Sequence, residues 1–485
     1  MMKKHYLIFA LILFAIFLFR LPSLYEPFWY GDEGIFAAVA NNLNQGGVLY
    51  QTAWDNKPPM IYLTYAAIFK LFDVSMFSLR LTTVVAVLAT ATVIYEIAKK
   101  VLGENRALVA TFIFGFLTSL RIVEGNLALT EIFMILPISL AMLLIIFRKI
   151  DALSLFVAGI LFAVASLYKQ VGALEAIALG IFLLLISKDF GEFIKKGLVL
   201  SLGFILPFAL TIGYFASKNL ISDYIFAAYT YYRISLGESP KYALLINLLK
   251  FLPIAAVIIY GLFKKGKNTA SNFHLILLWT AFSFLGSYFS GRTYGHYLVQ
   301  AAAPVSLLLA SISLKINFSK VSIVFALFFF IPLIFLTKLL FTDFLSGGPI
   351  NQLKYWQNFI EFSSSQKNIN SYNDFFDSNV NSIMGIADFL KSKNAFGKNV
   401  YIWGDYPWLY AIAHLQNPTR YVTSFHVFGV PTGKEEVISA LEYNLPEFII
   451  KPPTSIGYFG QLEKLLSENY KIVGKIENSD VFEKR

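Results

Sequence analysis

The feature that most constrains this chain is the recurrence of long uncharged apolar stretches. Leu7 to Phe19, Leu81 to Ile94 and Val321 to Leu336, with their flanks, approach the length a helix needs to cross a hydrocarbon layer of roughly 30 Å. Only 14% of the 485 residues are charged and 57% are hydrophobic, whereas an ordinary soluble domain is about 25% charged. The chain therefore reads as a multi-pass α-helical membrane protein. Its net charge of +10 could point to nucleic acid in a soluble protein, but here loop charges first report orientation, and no nucleic-acid partner is expected. The absence of cysteine excludes disulfides, thiolate chemistry and cysteine-held zinc or iron–sulfur sites.

Met1-Met2-Lys3-Lys4 precedes the first apolar run, and no small-residue cleavage site appears before Arg20-Leu21-Pro22, which predicts an uncleaved first span with a cytoplasmic N-terminus. Basic groups recur at Lys99-Lys100 with Arg106, at Arg148-Lys149, at Lys188 with Lys195-Lys196, at Lys264-Lys265-Lys267 and at Lys315 with Lys320. Taken as cytoplasmic turns, they imply about eleven crossings, with the C-terminus outside. The expected spans are 5–21, 79–98, 106–121, 132–147, 152–168, 171–187, 198–216, 244–263, 272–290, 297–314 and 320–341. Pro59 to Phe72 is apolar but too short for an upright span, so it is expected to lie at the outer interface; a crossing there would invert everything after it.

Composition changes near residue 345, dividing the chain into a transmembrane part, 1–344, and a small extracytoplasmic α/β domain, 345–485. Within the latter, Asn399 to Trp403, Arg420 to Thr423 and Phe448 to Lys451 look like strands, and Glu435 to Tyr443 and Gln461 to Glu468 like helices.

With this topology the unusual polar residues gather in the outer loops. The first holds Asp32-Glu33-Gly34 and Asp55-Asn56-Lys57-Pro58-Pro59, the second Glu124 and Thr130-Glu131, the third Lys169-Gln170, and the fifth Arg292, Tyr294, His296 and Tyr297. Acids at a hydrocarbon boundary faced by Lys, Arg and His suit a reaction in which a base takes a proton and cations stabilise a departing phosphate. Each residue also has a plainer reading. Asp32 could cap the helix that follows, with Glu33 favouring its positive end. Glu131 could cap the fourth span, Lys57 and Lys169 could be snorkelling lysines, and His296 could belong to an interfacial aromatic belt.

Taken in order, Asp32-Glu33-Gly34 with Ala37 and Ala40, Gly46-Gly47 to Tyr50, Asp55 to Pro59, Asn126 to Glu131, Lys169-Gln170, and Arg292 with His296-Tyr297, Gln300 and Pro304 form a family pattern. It resembles the GT-C fold glycosyltransferases of the protein O-mannosyltransferase and lipid A aminoarabinose transferase superfamily, over about residues 1 to 340. The resemblance implies inverting sugar transfer from a polyprenyl-phosphate donor to a lipid, glycan or protein acceptor at the extracytoplasmic face of the cell membrane. It makes Asp32 the acid of the first loop, with Glu33 and Glu131 beside it in the catalytic set. It gives Lys57, Lys169, Arg292, His296 and Tyr297 to the donor phosphate. A divalent cation shared by Asp32 and Glu131 stays open, as does a charge supplied by lysines instead; no other cofactor is expected. A transporter or lipid flippase also needs many spans, but no inverted repeat is visible and the charges collect outside rather than at mid-depth.

Overall fold

The structure, a computed structural model, describes residues 2–148, 150–231, 272–290, 292, 294–311, 351–455 and 457–485. The spans expected at 244–263 and 320–341, the basic turns at 264–267 and 315–320, and the boundary at 344/345 lie outside them. Four described helices are long and apolar enough to cross a membrane: those beginning at Met2, Met76, Thr130 and Phe190. Shorter helices occupy the other described spans, at Glu104–Leu117, Ala152–Tyr168, Leu174–Ile186, Asn272–Tyr288 and Val299–Ser311. Met60–Phe72 is a helix of 13 residues, as its apolar run predicts.

Packing divides the chain differently from composition. One unit draws on Met1–Ser23, Arg80–Gly213 and Ser239–Tyr355, the other on Leu24–Leu79, Tyr214–Glu238 and Trp356–Arg485. The first-loop segment thus packs with C-terminal residues, because its hydrogen bonds go to them.

In the first unit, contacts along Met2–Arg20 fix its direction against two neighbours. Phe9 stacks on Tyr95 with centroids 4.3 Å apart, and Arg20 Nη2 donates to Thr83 Oγ1 at 3.2 Å, so the helix runs antiparallel to Met76–Leu102. His5 Nε2 lies 3.0 Å from Asn105 Oδ1, and Arg20 Nη1 donates to the Thr118 carbonyl at 2.7 Å, so it runs parallel to Glu104–Leu117. The chain thus reverses direction from Met2–Arg20 to Met76–Leu102 and again from there to Glu104–Leu117. Paired glycines bring two other helices into backbone contact. A Cβ on Gly159 would fall 2.2 Å from the Leu200 carbonyl oxygen, and one on Gly203 would fall 2.0 Å from that of Phe156.

The second unit carries a four-stranded sheet, β1 (Val400–Ile402), β2 (Phe448–Lys451), β3 (Tyr470–Ile476) and β4 (Ser479–Lys484), in the order β1-β2-β4-β3. β1 and β2 are parallel, and the other pairs are antiparallel. The β3–β4 hairpin turns on Glu477 and Asn478, both with positive φ (45° and 67°), as a tight two-residue turn demands. Arg420 to Thr423 is not a strand. Only Tyr421 bridges, to Trp54, whose N–H donates to the Arg420 carbonyl at 2.7 Å; its apolar residues are buried as loop core, which accounts for their strand-like composition. The expected helices appear as Gly433–Tyr443 and Gly460–Asn469.

Candidate active site

The second unit holds Asp32, Glu33 and Lys57. Helix Gly31–Asn44 has Tyr30 as its N-cap, with no side-chain cap bond, so Asp32 is not the cap and sits in the first turn with a half-buried side chain. Among the described residues its carboxylate makes no hydrogen bond or ion pair. Glu33 is completely buried, a place suited to holding the first turn rather than to meeting a substrate from solvent. Trp408 Nε1 donates to the Tyr30 carbonyl at 3.0 Å, and Asn41 Nδ2 donates to those of Tyr410 (3.0 Å) and Leu415 (3.2 Å), which fixes the helix on the C-terminal residues of the same unit.

Gly34 completes that fit: a Cβ there would lie 2.8 Å from Trp408 Cδ1 and 2.9 Å from Pro407 Cγ. Gly34→Ala is expected to lower stability by about 1–3 kcal/mol through overpacking, and thermal unfolding of the purified variant measures it.

Lys57 follows in a loop whose backbone is held at both polar groups. Its N–H donates to Tyr62 Oη at 3.1 Å, and its carbonyl accepts from Tyr50 Oη at 2.6 Å. The ammonium group donates to Asn56 Oδ1 at 2.9 Å. Asp55, 2% exposed, accepts from Tyr62 Oη at 2.7 Å and faces His426 Nε2 at 3.3 Å. Arg420 ties the neighbourhood together, donating to the Tyr50 carbonyl (3.2 Å), Asp223 Oδ1 (3.1 Å) and both carboxylate oxygens of Glu436. Thr432 and Arg420 hold the Glu436 carboxyl below the usual carboxylate range, although burial alone raises it.

The first unit gathers a second set at one end of its helices. Glu131, in the first turn of Thr130–Phe147, is 1% exposed. One of its oxygens pairs with Lys169 Nζ and the other accepts from Thr130 Oγ1 at 2.8 Å. The Lys169 ammonium also sits 3.5 Å over the Tyr297 ring. Beside them His296 Nδ1 pairs with Glu124, whose backbone is left-handed at φ 51°. Gly295 and Gly125 permit this crowding, since a Cβ on either would fall about 2 Å from the carbonyl oxygens of Ile122 (2.1 Å) and Thr118 (2.2 Å). Arg292 is half-buried, and among the described residues its guanidinium makes no hydrogen bond or ion pair. At the opposite end of the same helices lie Lys99 near Glu104 (3.8 Å) and Lys100 over the Phe147 ring (5.7 Å). Lys99 and Lys100 thus lie at the opposite end of the unit from the mixed acid–base set.

Both Glu131 oxygens are engaged, and Lys169 already places a positive charge where a divalent ion would add one. Among the described residues no group of three or more His, Asp or Glu side chains is arranged to hold a metal.

The family described as dolichyl-phosphate-mannose-protein mannosyltransferase matches residues 56–215, a stretch that includes Lys57, Glu131 and Lys169 and begins after Asp32. The fold is similar to that of ArnT from Cupriavidus metallidurans bound to undecaprenyl phosphate, with a TM-score of 0.59 at 14% identity over 98% of this chain and 97% of that chain. For the apo state of the same protein the TM-score is 0.58, again at 14% identity, over 99% and 98% of the two chains. At this identity the likeness is one of fold: the helical architecture described above is that of a GT-C membrane protein. By sequence, an uncharacterised protein of Aquifex aeolicus (strain VF5) is 25% identical over 300 residues, and the match spans 59% of this chain and 59% of that relative's length.

Several polar residues were not singled out by sequence. His426 is a lone histidine far from the first loop, and nothing in its spacing marks it. Glu175 is buried within an apolar helix, where Oε1 accepts from Gln300 Nε2 (2.8 Å) and Ser283 Oγ (2.9 Å). A carboxylate in an otherwise uncharged span is itself a signal, and it was available.

Proposed function

We propose that this protein is an integral-membrane inverting glycosyltransferase that moves a sugar from a polyprenyl-phosphate donor to a lipid, glycan or protein acceptor outside the cytoplasm. The observation that carries the reading is the pairing, within one packed unit, of an accessible carboxylate without a hydrogen bond, Asp32, with a lysine on a rigid loop, Lys57. Asp32 takes the proton of an acceptor hydroxyl as its oxygen bonds to the anomeric carbon. The bond from that carbon to the phosphate oxygen breaks, and the polyprenyl phosphate leaves with its negative charge. Lys57 stabilises that charge, and within the first unit Lys169, Arg292, His296 and Tyr297 form a set of their own suited to an anionic group. Glu131 holds Lys169 in place. The isoprenoid tail stays in the bilayer while the phosphate reaches the aqueous rim, which is why an apolar groove topped by cations suits this substrate. The N-terminus is cytoplasmic, and the second unit lies on the extracytoplasmic side.

Purified protein in detergent is expected to transfer label from a polyprenyl-phosphate sugar to envelope acceptors, at a rate unchanged by a chelator because Lys169 supplies the charge beside Glu131. Uptake of substrate into sealed vesicles with no sugar-transfer product overturns the reading in favour of a transporter. Loss of transfer on chelation overturns the role given to Lys169.

A further inference from the structure

Asp55 joins two distant stretches of the second unit into one buried frame. Its Oδ1 faces His426 Nε2 at 3.3 Å and its Oδ2 accepts from Tyr62 Oη at 2.7 Å. Tyr62 Oη in turn accepts the Lys57 N–H at 3.1 Å, using the phenol as donor and acceptor at once. Asp55 and His426 are each 2% exposed, and Tyr62 is fully buried. The hydrogen bonds that set the Lys57 backbone thus run to Asp55, and Asp55 meets a histidine in a close polar contact.

His426 is itself held firmly. It lies in the first turn of Ser424–Gly429, its N–H donates to the Thr423 hydroxyl at 3.4 Å, and its ring meets Trp54 edge-to-face at 5.0 Å and Tyr231 at 6.5 Å. Nδ1, by contrast, is buried and has no partner among the described residues. An unpartnered buried nitrogen costs free energy that a phenylalanine of similar size would not, so packing alone does not account for an imidazole here.

We infer that His426 is a positioning residue for the donor site: its Nε2–H holds Asp55, and through Asp55 and Tyr62 it sets the Lys57 loop for a polyprenyl monophosphate. This rests on the role given to Lys57 under the proposed function. The groups facing His426 are Asp55 in contact, Asp32 and Lys57 at longer range, and the rings of Trp54, Tyr231 and Phe425. Burial, aided by Lys57, holds its pKa below the ordinary imidazole value despite Asp55 and Asp32. The neutral form that donates through Nε2 is therefore in place at neutral pH. A depressed imidazole pKa means that the unfolded chain binds the proton more readily, so stability is full above about pH 6.5 and falls as pH drops from there towards the lower folded value.

The test compares His426→Phe, which keeps the ring volume, with His426→Gln, which packs less well but can offer an amide N–H to Asp55. Binding of a short-chain polyprenyl monophosphate is measured directly, without reference to turnover, alongside thermal unfolding between pH 5 and 8. His426→Phe is expected to bind about tenfold more weakly, the size of one lost hydrogen bond to a charged group, and to lose less stability in acid than wild type. His426→Gln should recover most of the affinity, and Lys57→Ala combined with His426→Phe should bind no more weakly than Lys57→Ala alone. Wild-type affinity in His426→Phe overturns the inference. So does a Gln variant that binds more weakly than the Phe variant, since packing alone gives that order. Failure of the wild type itself to bind the phosphate, with Lys57→Ala changing nothing, overturns the role of Lys57 instead.

Discussion

Replacing Asp32 with Asn is expected to lower transfer to a hydroxyl acceptor by roughly 10²- to 10⁴-fold, the range general base catalysis contributes. The fold should survive, because the Asp32 side chain makes no hydrogen bond among the described residues and is not the helix cap. Asn keeps the shape and removes the ability to take a proton. Initial rates with labelled donor, read beside thermal unfolding of the same preparation, separate a chemical defect from a folding one. The size of the loss also reports on the acceptor. A lipid phosphate is already ionised and needs no base, so a loss well below this range points to a phosphate nucleophile. Full activity removes Asp32 from the mechanism.

Breaking the Glu131–Lys169 pair should have the largest effect on stability. Lys169 is 12% exposed and Glu131 1%, so Lys169→Met leaves a carboxylate deep in the protein with only Thr130 to answer it. Removing one partner of such a pair typically costs about 3–5 kcal/mol. Adding Glu131→Gln to Lys169→Met removes the stranded charge and should recover most of that loss. Transfer should not recover with it, because the ammonium over Tyr297 is still missing. Unfolding midpoints and transfer rates of both variants check the pair of statements together. An unchanged midpoint in the single variant shows that water reaches Glu131.

What could be read in advance followed from how locally each feature is encoded. Apolar length places a helix wherever the described residues allow comparison, since a span is a property of one stretch of sequence. The apolar run of Met60–Phe72 likewise appears as a single short helix. The β3–β4 hairpin escaped notice because its turn is Glu-Asn rather than a glycine-containing pair and β3 is exposed along most of its length. Arg420 to Thr423 misled for the opposite reason, a β-prone composition used to line a loop core. Among the candidate site residues, Asp32 and Lys57 were named from compact motifs, and the Glu131–Lys169 contact brought together two that were named separately. His426 was not legible, because its meaning depends on Asp55, and only the folded chain makes them neighbours.

The second unit is assembled from pieces that leave the ribosome at very different times. Residues 24–79 precede residue 356 by about 280 residues, which at synthesis rates of 5–20 residues per second is roughly 15 to 55 s. Through that interval Asn41, Trp54 and Asp55 lack Tyr410, Arg420 and His426, the groups that later satisfy them. The loop bearing Asp32 and Lys57 therefore reaches its final form only once residues up to His426 have emerged, and a chain halted before them leaves that loop without the groups that fix it.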